Sequence, residues 1–186
     1  MKYTKGDIAK AVLITLAVTG VAVSVVMFPG LSLLLKYLPK DKGARNINRS
    51  LRYLNEKKYV RMYIKNGREH VEITEKGRAR VLSYEFDEMI IKPSKKWDKK
   101  WRVVTFDIPE KRRRTREVLH FKLKEMGFYP AQKSIFVIPY ECEDEIEFIK
   151  NYLYLNNRLM YMLAEKISDE AKIRKHFKLP ACFHYY

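Results

Sequence analysis

The sequence predicts an α+β chain: an apolar N-terminal helix, a basic helix with a two-stranded hairpin, then a split βαβ half. Three observations predict it. The 186 residues are 47% hydrophobic, enough to bury a core. Between residues 44 and 74 the apolar spacing changes from three-and-four to two, around an Asn66-Gly67 pair. From residue 101 onward the order reads strand, helix, strand, strand, helix, strand. These signals divide the chain into an apolar helical segment (1–39), a basic helix-and-hairpin module (40–91), a polar linker (92–100) and an αβ domain with a C-terminal extension (101–186).

In the first segment, Ala11 to Phe28 contains 18 residues without a charge, preceded by Lys2, Lys5 and Lys10 and closed by Pro29-Gly30. A second apolar piece, Leu31 to Leu38, follows. Three readings stay open. A cleaved signal peptide fits worst, because residues 25–28 (VVMF) lack the small residues of a cleavage site. A membrane span through residues 11–28 sits at the short end of the spanning range, and Lys36, Lys40, Lys42 and Arg45 would then place the rest of the chain on the cytoplasmic side. A helix buried between subunits or domains is the third, and Thr15, Thr19, Gly20 and Ser24 recur at spacings that permit close helix packing.

After the polar break at 39–43, a helix is expected over Ala44 to Lys57. Ile47, Leu51 and Leu54 make its apolar stripe, and Arg45, Arg49 and Arg52 fall on the opposite face. Residues 59–65 then alternate, with Val60, Met62 and Ile64 on one side. Asn66-Gly67 is a two-residue hairpin turn, since both positions accept positive φ. Arg68 to Thr74 returns with Val71 and Ile73 inward, and Thr74 is placed to N-cap the next helix.

The net charge of +16 repels itself in a compact chain unless a polyanion neutralises it. Residues 40–80 hold thirteen Lys and Arg against five Asp and Glu, and residues 92–116 hold eleven against three. The rest of the chain is balanced, so the surplus is concentrated in two windows, the footprint of a polyanion partner such as nucleic acid.

A basic helix, a hairpin and a short helix in this order resemble the second half of a winged helix-turn-helix domain, and the run 73–78 (ITEKGR) is similar to the end of many winged-helix regulators. The resemblance implies that Arg45, Asn48, Arg49 and Arg52 face a DNA groove, with Lys65 and Arg68 as wing contacts on the backbone. The chain departs from that family in one respect. The helices that usually precede the recognition helix would fall within the apolar 5–38 stretch.

In the second half, Trp101 to Phe106 reads as a buried strand, ended by Ile108-Pro109. Glu110 leads into a helix with Leu119, Leu123 and Met126 inward and Gly127 as its C-terminal cap. Strands follow near 128–130 and 134–139. A helix marked by Ile146, Ile149 and Leu153, a strand at 158–164 and a short helix at 169–177 complete the half. The runs 101–110 (WRVVTFDIPE), Lys111 to Arg114, Gly127-Phe128 and 132–137 (QKSIFV) closely resemble the Cas-two-like domain of PaaX-type transcriptional regulators, and also the small CRISPR adaptation nuclease Cas-two itself. The resemblance runs from about Trp97 to Leu163.

In the regulator reading, the ferredoxin-like half pairs two subunits into a homodimer, two winged modules bind a two-fold site on DNA, and Lys111, Arg112, Arg113 and Arg114 add phosphate contacts. Asp107 is then structural, and no cofactor is required. In the nuclease reading, Asp107 of each subunit meets across the dimer axis to hold one magnesium ion, which activates water for phosphodiester cleavage or serves DNA binding in CRISPR spacer acquisition. A membrane-tethered DNA binder is the third alternative.

Other chemistry is unsupported. Cys142 and Cys182 form no ligand spacing with the four histidines and read as reduced thiols of a cytoplasmic protein. There is no P-loop, no dinucleotide fingerprint and no small-molecule substrate motif. The acidic run Glu141 to Glu147 reads as a solvated helix N-terminus, and the aromatic tail 182–186 as a surface for a partner subunit.

Overall fold

The computed structural model describes residues 5–19, 23–24, 43–94 and 96–180. The second apolar piece (31–38), the rest of the proposed span (20–22 and 25–28) and the aromatic tail lie outside them. The chain divides into two compact units, Met1–Asp87 and Glu88–Tyr186.

In the first unit, α1 (Lys5–Thr19) is followed by the two-residue strand β1 (Val23–Ser24), α2 (Gly43–Glu56), the hairpin β2 (Val60–Lys65) and β3 (Arg68–Ile73), and α3 (Glu75–Glu88). The sheet order is β1-β3-β2, all antiparallel. Ile8, Ala9, Val12, Leu13 and Leu16 of α1 share one core with Ile47, Leu51 and Leu54 of α2 and with Val60, Val71 and Ile73 of the hairpin. The apolar N-terminal helix is therefore the floor of the basic module. The expected boundary at 39/40 falls between elements that share this one core among the described residues. Thr15 turns its hydroxyl back to the Ala11 carbonyl (2.9 Å), which satisfies it inside the helix. Among the described residues no helix is long and apolar enough to cross a membrane.

The hairpin turn has the expected geometry, with Asn66 at φ 52° and Gly67 at φ 70°. Its register pairs Lys65 with Arg68 at the tip and Val60 with Ile73 at the base. Only the base is buried. Ile64, expected inward, is 75% exposed, because the outer end of the hairpin projects past the α1–α2 core.

The join between hairpin and α3 explains the run 73–78. Thr74 accepts the Gly77 backbone N–H at its Oγ1 (3.0 Å), the expected N-cap. Its own N–H donates to the Tyr59 carbonyl (3.0 Å), and its hydroxyl lies 2.7 Å from the Lys58 carbonyl. Gly77 packs directly on that strand: a Cβ there would come within 2.0 Å of the Tyr59 carbonyl oxygen and 2.7 Å of the Ile73 side chain. Glycine is required here by close approach of backbone to backbone.

In the second unit, β4 (Trp101–Phe106) is followed by a 3₁₀ turn (Glu110–Arg112), α4 (Arg113–Glu125), β5 (Tyr129–Gln132), β6 (Ile135–Ile138), α5 (Glu143–Tyr152), β7 (Leu159–Ala164) and α6 (Glu170–His176). The sheet order is β5-β6-β4-β7, again antiparallel throughout. β4 is central and nearly all buried, as its β-branched and aromatic composition requires. One face of the sheet carries Val104, Phe106 and Phe136, with His120 of α4 edge-on to Phe136 at 5.0 Å. On the other face Trp101, Val103 and Val137 form a core with Ile173 of α6, flanked by Trp97, Phe177 and Leu179. Trp97 lies in the expected 92–100 linker, so that segment's end belongs to the second core.

Gly77→Ala is expected to lower the stability of the first unit by roughly 1–3 kcal/mol, as overpacking against backbone does. Thermal unfolding followed by circular dichroism measures it. Thr74→Ala, which removes only the cap, should cost about 1 kcal/mol.

Candidate nucleic-acid interface

The basic surface of the first unit is built by α2. Its inward residues Ile47, Ser50, Leu51 and Leu54 are buried, and Asn48, Arg49, Arg52 and Tyr53 face water. The apolar stripe fixes the roll of the helix, so the cations point outward for the same reason that the leucines point inward. Neither Arg49 nor Arg52 has an ion-pair partner among the described residues. Arg45 lies on the same helix, and its side chain is outside the described set. At the hairpin tip, Lys65 and Arg68 are opposite one another and exposed. Arg61, further down, is instead tied to Glu72 across the hairpin at 2.8 Å.

The Lys111–Arg114 run divides in two. Arg112 donates to the carbonyls of Leu153 (2.7 Å) and Tyr154 (3.0 Å), holding the end of α5, and Arg113 pairs with Glu117 at 2.8 Å. Lys111 and Arg114 are exposed, with no ion pair among the described residues. Two of the four candidate phosphate contacts are thus engaged within the chain, and the helix explains both. Arg113 meets Glu117 one turn on, while Arg112 satisfies carbonyls left open at a helix end. Nearby Arg116 is held by Glu110 at 2.8 Å.

Asp107 lies exposed just past the end of β4, and its backbone N–H donates to the Arg158 carbonyl (2.9 Å). It makes no ion pair with the Lys111–Arg114 run among the described residues. It lines three adjoining concavities, of about 790, 390 and 650 Å³. No group of three or more His, Cys, Asp or Glu that could hold a metal ion occurs among the described residues. In the smallest concavity Asp107 is the only carboxylate, beside Tyr154, Asn156, Asn157 and Arg158. The magnesium site expected from two Asp107 side chains across a dimer axis needs a second subunit, and one chain supplies one of its two carboxylates.

Cys142 is buried, and burial, reinforced by the Glu145 carboxylate, pushes its thiol up to about 12.

A second cationic centre is structural and was not singled out by its position in the charge run. Arg102, in the buried strand β4, is only 6% exposed. Its guanidinium meets both carboxylate oxygens of Asp98 at 2.7 and 2.8 Å and the carbonyls of Lys100 and Pro139. Next to it the Trp97 ring lies 4.9 Å from that of Trp101, with the Arg174 guanidinium over it at 4.4 Å. Glu170 accepts from both Arg174 (2.7 Å) and the Trp101 indole (3.1 Å). The segment entering the second unit is thereby fastened to β4 and α6.

The antiparallel β5-β6-β4-β7 sheet, with helices between β4 and β5 and between β6 and β7, has the order and connections of a ferredoxin-like domain. Residues 94–175 match the family model described as the PaaX protein central Cas2-like domain. The matched residues begin after the hairpin and leave the first unit outside them. No curated protein matches the chain.

The Asp98–Arg102 pair makes a pH prediction. The hydrogen bond from Arg102 holds the Asp98 carboxyl below its ordinary range. A lowered folded-state pKa stabilises above the unfolded value, about 4. That contribution is lost as pH falls through the lower folded value. Asp98→Asn is expected to destabilise the second unit by roughly 1–3 kcal/mol at neutral pH by leaving a buried guanidinium uncompensated. It should also flatten the acid limb of a stability–pH curve measured by urea unfolding.

Proposed function

We propose that the chain is a DNA-binding regulator of the PaaX type that acts as a homodimer. In this reading α2 enters the major groove and the β2–β3 tip contacts the flanking backbone as a wing. The observation that carries it is Arg49 and Arg52, exposed beside Asn48 and without an ion pair among the described residues, on a helix whose other side is locked into a core. Arginine forks bind phosphate or guanine edges bidentately, and asparagine can pair with adenine. Among the described residues, a short strand, a basic helix and a hairpin in a β1-β3-β2 sheet support the winged reading, and the PaaX domain match supports the regulator class.

The dimer has its own support. β7 is an edge strand whose outer side has no neighbour among the described residues. It carries Met160, Met162 and Leu163, at 59%, 39% and 55% exposure, without a lysine or proline to blunt the edge. An apolar edge of this kind is ordinarily covered, and a second copy of the same domain can cover it with two-fold symmetry.

Two measurements test the reading. Binding to duplex DNA should fall steeply with salt, and Arg45→Ala/Arg49→Ala/Arg52→Ala should weaken it about 100-fold and flatten the salt slope by two to three. An unchanged gel shift for the triple variant would remove α2 from the interface. Separately, Met160→Lys/Met162→Lys should convert the dimer to a monomer in sedimentation equilibrium. A wild type that sediments as a monomer at tens of micromolar would end the dimer assignment.

A further inference from the structure

The loop between α5 and β7 holds a set of side chains that neither the duplex reading nor the fold requires. Its backbone is tightly fixed. Leu155 is fully buried, and its N–H donates to the Lys150 carbonyl at 2.8 Å. The Leu155 carbonyl in turn accepts from the N–H groups of Arg158 (2.8 Å) and Leu159 (3.0 Å). Arg112 clamps the carbonyls of Leu153 and Tyr154 from outside, and the Asp107 N–H takes the Arg158 carbonyl. Within this frame Tyr154 is held at φ 53°, a left-handed conformation that a tyrosine adopts at a cost. The residue is 83% exposed.

The side chains on this frame point to a ligand. Tyr154, Asn156, Asn157, Arg158 and Asp107 line one concavity of about 390 Å³. Asn156, Asn157 and Arg158 are exposed, and none uses its side chain in a hydrogen bond or ion pair among the described residues. We propose that this loop is a nucleotide site, which takes an unstacked base on the Tyr154 ring and reads its edge with Asn156, Asn157 and Asp107.

The chemistry divides cleanly. Stacking on an exposed aromatic ring accepts any base. Carboxamides present a donor beside an acceptor, and a carboxylate accepts from an exocyclic amine, so the edge-reading set favours bases that carry an amino group. Asp107 repels a phosphate, and Arg158, adjacent in the concavity, supplies the one cation to bind it. A duplex presents neither a free base face nor an open edge, so the occupant is a nucleotide of a single strand or a free nucleotide. The site does not rest on the duplex reading, and the two fail on different residues.

The test uses the full chain. Fluorescence anisotropy is measured with a labelled 12-nucleotide single strand of mixed sequence, with the corresponding duplex, and with AMP and UMP as competitors. Tyr154→Gly relieves the left-handed strain and so should leave thermal stability unchanged or higher, while weakening single-strand binding at least tenfold. Tyr154→Phe keeps the ring and should bind like the wild type. Asn156→Ala/Asn157→Ala should erase the preference for A-, C- or G-containing strands over an all-T strand. Duplex affinity should be unmoved by all three and lowered by Arg49→Ala/Arg52→Ala. Competition by AMP over UMP, lost in Tyr154→Gly, identifies a free nucleotide as sufficient. Binding of the strand without such competition identifies the strand. The proposal is overturned if Tyr154→Gly binds the single strand as the wild type does, or if the wild type binds neither strand nor mononucleotide.

Discussion

The packing of α1 against α2 decides which side of the basic helix meets water. Ile8, Val12, Leu13 and Leu16 give Ile47, Leu51 and Leu54 a surface to bury. A helix has only one roll angle that satisfies such a stripe. Asn48, Arg49 and Arg52 are presented outward as a consequence of that apolar contact. Without it, α2 is a short, strongly charged segment whose cations repel one another, and helices of this length are marginal alone. The very apolar N-terminus and the very basic helix are therefore two halves of one device. The hairpin is attached to the same core only at its base, through Val60, Val71 and Ile73, so its cationic tip stands clear.

The second unit solves a different problem with the same residue type. Its guanidiniums do three separate things. Arg102 is buried and neutralised by Asp98, Arg174 covers the Trp97 ring, and Arg112 satisfies helix-end carbonyls. Each use depends on the planar fork of arginine, which offers several donors in fixed directions and stacks on aromatic faces. The buried Arg102 has one nitrogen, Nε, without a partner, a cost tolerated because the bidentate contact fixes the segment that leads into β4. The loop after α5 then inherits its shape from Arg112 and from the buried Leu155, which is how Tyr154 is kept in a conformation that it would not choose.

Much of this was legible in the sequence because it is local. The Asn66-Gly67 turn, the Thr74 cap, the 47/51/54 stripe and the strand order of the second half all depend on residues within a few positions of one another. The run Thr74 to Gly77 was legible as a helix start, but the reason for Gly77 was not, since the clashing atom belongs to Tyr59 on the far side of the hairpin. Ile64 alternates in phase with Val60 and Met62, yet periodicity carries no information about where a strand outruns its core. The apolar 11–28 stretch left several readings open because hydrophobicity does not say what it is buried against. Arg112 and Arg113 looked equivalent to Lys111 and Arg114 in a run of four cations, and only the fold shows that two of them are engaged within the chain. The Tyr154 loop carries no one-dimensional signature, because its members converge with Asp107 from nearly fifty residues away.

Where the carboxylates went is as informative as where the cations are. Glu110, Glu117, Glu147 and Glu170 each hold a basic side chain of the second unit at 2.7–3.2 Å, and most of these pairs are one helical turn apart, where the backbone brings them together at little entropic cost. Such pairing stays local and cannot reach a cation on another element. On α2 the only acidic residue is Glu56, at its last turn; it lies one turn on from Arg52 without an ion pair to it among the described residues, and Arg49 has no carboxylate within a turn on the helix. In the proposed DNA complex, a polyanion whose charges repeat along a groove would neutralise several cations together and release its own counterions as it did so. The scarcity of acidic residues on α2 is the sequence-level condition for the surface, and the α1 contact is the structural one. Either alone would leave a basic helix without a defined direction in which to bind.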